Sequence, residues 1–226
     1  MRTLRPAFIC ASVVSAVAAT AAVASSRAAD WTHPGMVVLL LAFALVADRF
    51  EIRTRSGMFV SGSMPPFILA AVLFGPAPTV AMGAVAALSQ WRKAWAFKLA
   101  DLAAYLSFSL IAGLAARMGH VADPVHSWLW FMGMVAATFM LGATVNFAMV
   151  AGFMRLLRGR SFSMNIATTW RPLLNSQLVH ALGTAGLAYA YLRIGSASMR
   201  SRISRLNVTA SAPARTITAE PMRRYA

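Results

Sequence analysis

Apolar residues fall into seven runs separated by short polar or charged segments. The first, Ala7 to Ala24, follows Arg2 and Arg5. Its length is close to that needed to span a bilayer. Its basic start and small residues also fit a secretory signal, and a retained membrane helix is the preferred reading. The second run, Trp31 to Ala47, opens with an interfacial Trp and with Pro34, which suits a first helical turn. The third and fourth, Met58 to Phe74 and Ala77 to Gln90, meet at the stretch "GPAP". Proline cannot continue a helix and pushes the residue before it away from helical geometry. The pattern predicts a tight helical hairpin over 58–90, with arms that are short for a full span. Pro65 and Pro66 shorten the first arm further, and a re-entrant hairpin buried among the other helices is the alternative. The fifth, sixth and seventh runs are Leu99 to Ala116, Trp128 to Met154 and Leu173 to Leu192.

Two segments break this rhythm. Asp48 to Gly57 is charged, and its "FEIRTR" core alternates apolar and polar residues. A short extended segment is one reading and a solvated loop the preferred one. From Gly195 to Ala226 the chain is polar and basic without sustained periodicity, which reads as a disordered tail. The predicted fold class is therefore all-α, a polytopic membrane bundle of six to seven apolar helices with a short Gly-Pro hairpin at 58–90. Residues 1–194 form the bundle, with 1–30 its first helix or a signal-like segment, and 195–226 form the tail.

Composition agrees. The 226 residues are 59% apolar and 12% charged, against about 45–50% and about 25% in soluble domains. The net charge of +15 invites a nucleic-acid reading, but its distribution argues otherwise. Lys and Arg sit beside the apolar runs and in the tail, not in a stripe with stacking aromatics. The expected partners are the lipid bilayer and anionic headgroups. Trp91, Arg92 and Lys93, then Arg155, Arg158 and Arg160, are the expected interface anchors. The second, fourth and sixth loops carry ten Lys and Arg residues and the first, third and fifth carry two, Arg27 and Arg117. That asymmetry places the even loops in the cytoplasm; the arginines of the tail do not fit it if the seventh run spans. Cys10 is the single cysteine, which excludes an intrachain disulfide and a cysteine-rich metal site.

Within the runs, small or polar residues recur at helical spacing. The sets are Thr79, Gly83 and Ala87; Asp101, Tyr105, Ser109 and Gly113; Thr138, Gly142 and Asn146; and Ser176, His180 and Thr184. Membrane helices associate through close packing, which small residues allow. Helix-packing positions are thus expected at Gly75, Pro76, Thr79, Gly83, Ala87, Gly113 and Gly142. The functional reading of the same faces is a cavity or polar path lined by Asp101, Asn146, Asn175, Gln177 and His180. Asp101 reads first as an interfacial ion-pair partner near Lys98, and His180 as a satisfied bundle histidine. The sequence has no "GxxxxGK" phosphate loop, no "HExxH" and no His-Asp dipeptide. Ser63 and His180 lack the context of a catalytic dyad. No catalytic residue, cofactor or metal is expected.

The stretch from "ADRFEIRTRSG" through the "FGP" break at Phe74, Gly75 and Pro76 to "KLADLAAYLSFSLIAGL" carries a resemblance over roughly residues 35–192. It resembles the N-terminal multi-pass membrane region of bacterial HD-type phosphodiesterase and diguanylate cyclase signalling proteins. Polar residues from Gly195 to Ala226 stand where a catalytic domain would follow. The resemblance therefore implies no phosphodiesterase or cyclase activity. It implies a sensory or scaffolding module of the bacterial inner membrane, a homo-oligomer or the companion of a separate signalling enzyme. The "FGP" break is also similar to the substrate-binding subunits of vitamin transporters, which implies a small-molecule binding or transport component. The further glycines and the acidic residue of that pattern are mostly missing, with Gly83 remaining.

Overall fold

The hydrophobic runs become helices whose small residues face inward. A computed structural model describes residues 4–50, 52–53, 59–60, 62–90, 93–119, 127–159 and 161–210. In order these are α1 (Leu4–Ala24), a 3₁₀ turn (Ala28–Trp31), α2 (Pro34–Asp48), β1 (Ile52–Arg53), β2 (Phe59–Val60), α3 (Met64–Phe74) and α4 (Pro76–Ser89). Then come α5 (Trp95–Met118), α6 (Trp128–Arg158), α7 (Phe162–Asn165), a π-helical turn (Ile166–Trp170) and α8 (Arg171–Ala210). The chain divides into two compact units, Met1–Tyr189 and Ala190–Ala226. All the packing below belongs to the first. In the second, residues 190–210 are helical.

Among the described residues, three helices are long and apolar enough to cross a bilayer: Arg5–Ala24, Trp95–Met118 and Trp128–Leu157. Three more are apolar but short, Pro34–Asp48, Met64–Phe74 and Pro76–Ser89. The seventh apolar run lies within α8, which is not among either set. The outer surface is more apolar than the contacts. On α1, Ala7, Ala11, Ser15, Ala18 and Ala22 are buried, whereas Ile9, Val13 and Val17 are each more than half exposed. Water would favour the reverse, and lipid does not, because its tails are as apolar as the side chains.

α5 is the central post, packed by α1, α3, α4 and α6. Ala11 meets Ala100, Ala103 and Phe153, while Ala18 and Ala22 meet Val80 and Leu106. Beside α6, Phe131 contacts Tyr189 of α8, and Phe147 stacks on Trp170 of the π-helical turn. The buried face of α8 is Gln177, Ala181, Thr184, Ala185 and Ala188.

The hairpin is made by Gly75, whose φ of +80° is costly for any residue with a Cβ. Pro65 and Pro66 open α3, and Pro76 opens α4, where the missing N–H would have had no partner anyway. The first arm thus begins at Met64 rather than Met58. Gly83 backs onto the Tyr105 carbonyl and the Ser109 hydroxyl, where an added Cβ would come within 3.2 and 3.1 Å. Gly113 abuts Pro76 so closely that a Cβ would overlap it. Gly142 faces Ile68 of α3. Thr79 and Ala87 are fully buried, and the Thr79 hydroxyl donates to the Gly75 carbonyl at 2.8 Å.

Two expectations are corrected. Ile52–Arg53 pairs antiparallel with Phe59–Val60, so the alternating segment is a short hairpin rather than a plain solvated loop. Backbone pairing satisfies N–H and C=O groups that alternation alone leaves open. The helix also runs to Ala210, past the expected start of a disordered tail. Ser196 to Ala210 contains no Gly or Pro, and Met199, Ile203 and Leu206 recur at helical spacing. The remainder of the tail, 211–226, lies outside the described residues.

Candidate functional site

The three short helices leave part of the bundle unfilled. At the hairpin turn, Pro76 meets Gly113 of α5. From there α3 reaches only the level of Tyr105, where the Ser63 hydroxyl lies 3.5 Å from the phenol oxygen. The chain beyond α4 reaches the level of Asp101, where Lys93 pairs with it at 2.9 Å. α5 itself continues to Trp95, about 15 Å of helix beyond Tyr105 at 1.5 Å per residue. The result is a cavity of about 330 Å³ between α5, α6 and the start of α8.

Its floor is Ser63, Met64, Tyr105 and Phe108, and its far rim includes Gln90, Lys93 and Leu157. Phe97, Phe147, Phe153, Met154 and Trp170 supply apolar wall, and Asp101, Asn146, Thr169 and Gln177 supply polar groups. Such a lining, mostly apolar with several rings and a few polar groups, is that of small-molecule pockets, which run from about 300 to 1,000 Å³.

The π-helical turn has a local cause that shapes this wall. Pro172 has no N–H to offer the preceding turn, and the Arg171 N–H bonds back to the Ile166 carbonyl, five residues away. The widened turn carries Thr169 and Trp170 to the cavity, with Trp170 stacked on Phe147 at 4.9 Å between ring centroids. Wide turns of this kind are frequent at functional sites.

Two polar clusters bracket the hairpin. At the cavity floor the Tyr105 hydroxyl donates to both oxygens of Asp48, at 3.0 and 2.9 Å, with Phe67 edge-on and Phe108 tilted against its ring. At the hairpin turn, Arg117 donates to both Asp30 oxygens, at 2.8 and 2.7 Å, and to the Ser25 carbonyl. The Arg27 N–H also donates to Asp30. With Nη2 on the carboxylate and Nη1 on the Ser25 carbonyl, Arg117 ties the segment after α1 to the end of α5, directly over Gly75.

Of the residues expected to face a polar interior, Asp101, Asn146 and Gln177 line the cavity. Asn175 and His180 do not; both are exposed on α8, and the expectation for them is corrected. Small residues occur all around this run, so spacing alone could not choose its face; the alanines at 181, 185 and 188 do. Asp101 pairs with Lys93 rather than Lys98, whose ammonium sits over the Trp95 ring at 4.9 Å. Lys93, an expected anchor, thus borders the cavity. Arg155 is exposed; Trp91, Arg92 and Arg160 lie outside the described residues, as does the Arg158 side chain. Sequence reasoning did not single out Asp48, Gln90, Phe147, Trp170, Asp30 or Arg117. The available signal for Asp30 and Arg117 was opposite charge beside adjoining apolar runs.

Among the described residues, no three His, Cys, Asp or Glu side chains are grouped to hold a metal. No family model matches the chain, and no curated protein or solved structure shows significant similarity to it.

Proposed function

We propose that this chain is a multi-pass module of the bacterial inner membrane that binds a small molecule in the cavity beside α5 and serves as the sensory part of a signalling assembly. In this reading α1 is retained as one of the six to seven apolar helices of the bundle, and the module performs no catalysis of its own. The observation that carries it is the cavity, because a purely scaffolding bundle has no need of a ring-lined, partly polar hollow at its centre. The resemblance over residues 35–192 supports the signalling role. The cavity also favours the transport reading, in which the same site would hold a solute for a companion ATPase.

Charge supports an orientation. The segments joining α2 to α3, α4 to α5 and α6 to α8 adjoin the cavity end, and they include the Lys- and Arg-rich loops. At the hairpin-turn end the described residues that carry positive charge are Arg27 and Arg117. The cavity end is then cytoplasmic.

The test is thermal unfolding of the protein in lipid nanodiscs against chemically varied small solutes. A ligand at a hundred times its Kd stabilises by about 2.7 kcal/mol. The expected result is a saturable rise in Tm that Ala143→Phe, which fills the cavity, removes. A wild type that responds to no solute, or a shift that survives the filled cavity, would sink the binding reading. Co-purification with a cyclase, an HD-type enzyme or an ATPase then decides between sensing and transport.

A further inference from the structure

We infer that the outward face of α8 is a seam along which a second copy of this chain docks in the membrane. The inference needs the bundle to lie in a bilayer and does not depend on the cavity holding a ligand. Depth, spacing and hydrogen-bonding chemistry carry it.

Trp170, just before α8, stacks on Phe147, and Tyr189 contacts Phe131. The stretch of α8 between them thus starts and ends beside α6 and shares the depth of Phe131 to Phe147. Those residues lie inside Trp128–Leu157, which is long and apolar enough to span. His180 stands midway along that stretch, with Ser176 one turn away, and both are exposed. Among the described residues neither side chain meets a hydrogen-bond partner. Lipid tails supply none, so polar groups held at this depth are costly until another protein surface covers them.

Ser176, His180, Gly183 and Leu187 are all exposed and are separated by four, three and four residues. This is the rhythm of a helix–helix seam with a left-handed crossing. A Cβ added at Gly183 would have no neighbouring atom within 4 Å. Glycine weakens the middle of a helix, and packing within this chain gives no reason for one here. Close approach of another helix does.

The chemistry of the face selects the occupant. No charged residue lies between Arg171 and Arg193, so the face offers nothing to a partner helix that brings a charge. It is matched instead to itself. Two copies inserted in the same sense, related by a two-fold axis along the bilayer normal, hold each residue at the depth of its counterpart. Ser176 then meets Ser176, and His180 meets His180. A hydroxyl and a neutral imidazole each carry both a donor and an acceptor, so each pair satisfies itself.

The test uses full-length protein in lipid vesicles, with Cys10→Ser removing the native thiol. A single cysteine is placed at Gly183 or at Leu178, which is exposed about 140° around the helix from Gly183. Under copper phenanthroline, Gly183→Cys is expected to form a disulfide-linked dimer and Leu178→Cys to stay monomeric. FRET between N-terminally labelled copies, at rising protein-to-lipid ratio, measures the association itself. His180→Leu should weaken it about tenfold. His180→Gln, which keeps a donor and an acceptor, should hold it within about threefold of wild type. Because wild type and the cysteine pair already decide the question, a variant that fails to fold does not remove the test. Wild type that stays monomeric at every ratio, or Leu178→Cys crosslinking as fast as Gly183→Cys, would overturn the inference. So would pure protein that is monomeric while Gly183→Cys captures a chain of different mass in native membranes, which would assign the face to another protein.

Discussion

Around the hairpin turn and around the cavity, α5 and α6 do opposite things. Near the turn they offer small residues, Gly113 and Ala112 of α5 among them, and the Gly113 backbone lies against that of Pro76. Farther along they offer Phe97, Phe108, Phe147 and Phe153, and those side chains border empty space. Bulk is smallest where packing is tightest and largest where packing stops. The difference follows from arm length: a hairpin of 11 and 14 residues cannot accompany helices of 24 and 31 along their whole course. One half of the bundle is therefore committed to stability, and the other is left free to hold something else.

The contrast can be broken by exchanging bulk between the halves. Gly113→Leu should have the largest effect, because even its Cβ would collide with Pro76. We expect a loss of about 3 kcal/mol or failure to fold, read as thermal unfolding in nanodiscs. Ala143→Leu, in the cavity wall, should cost less than about 1 kcal/mol on the same assay, since there is room to receive it. Equal costs for the two would mean that the halves do not differ as described.

Ion pairs give the next step down. Arg117→Ala should cost about 2 kcal/mol by stranding the buried Asp30 beneath the turn. Lys93→Ala, in a pair roughly a quarter exposed at each partner, should cost under about 1 kcal/mol. Urea or SDS unfolding of both variants would rank them, and the reverse order would undo the assignment of stability to the turn end. Between these lies Tyr105→Phe, which removes the donor to Asp48 while keeping the ring packed against Phe67 and Phe108. A loss of about 1.5 kcal/mol is expected, and an unchanged Tm would show that water replaces the phenol at the cavity floor.

Much of the packed half was legible in the sequence. The Gly75-Pro76 bend and the four-residue spacing of Thr79, Gly83 and Ala87 have local causes, and local causes are visible in local patterns. The hollow half was legible only in part. Asp101, Asn146 and Gln177 could be named as polar residues within runs, but their convergence depends on where α3 stops relative to α5, a difference between segments far apart in the chain. The face of α8 was misjudged for a related reason. His180 and Ser176 fall on one helical stripe with Thr184, yet the stripe that packs inward is Gln177, Ala181, Ala185 and Ala188, with Thr184 at its border, one position over and about 100° around the helix. The Phe147–Trp170 stack likewise needed the π-helical turn before Pro172, which hydropathy does not reveal.

The late start of the first hairpin arm at Met64 has a further consequence. Helix length changes by about 1.5 Å per residue, so moving the prolines that open α3 one turn toward β2 would extend it by about 5.4 Å into the hollow. The segment between β2 and Pro65 is thus a dial on cavity depth. Chains built on this plan could differ in what they hold by lengthening or trimming one arm, with the Gly75 turn, its Arg117–Asp30 clasp and the outer helices left as they are.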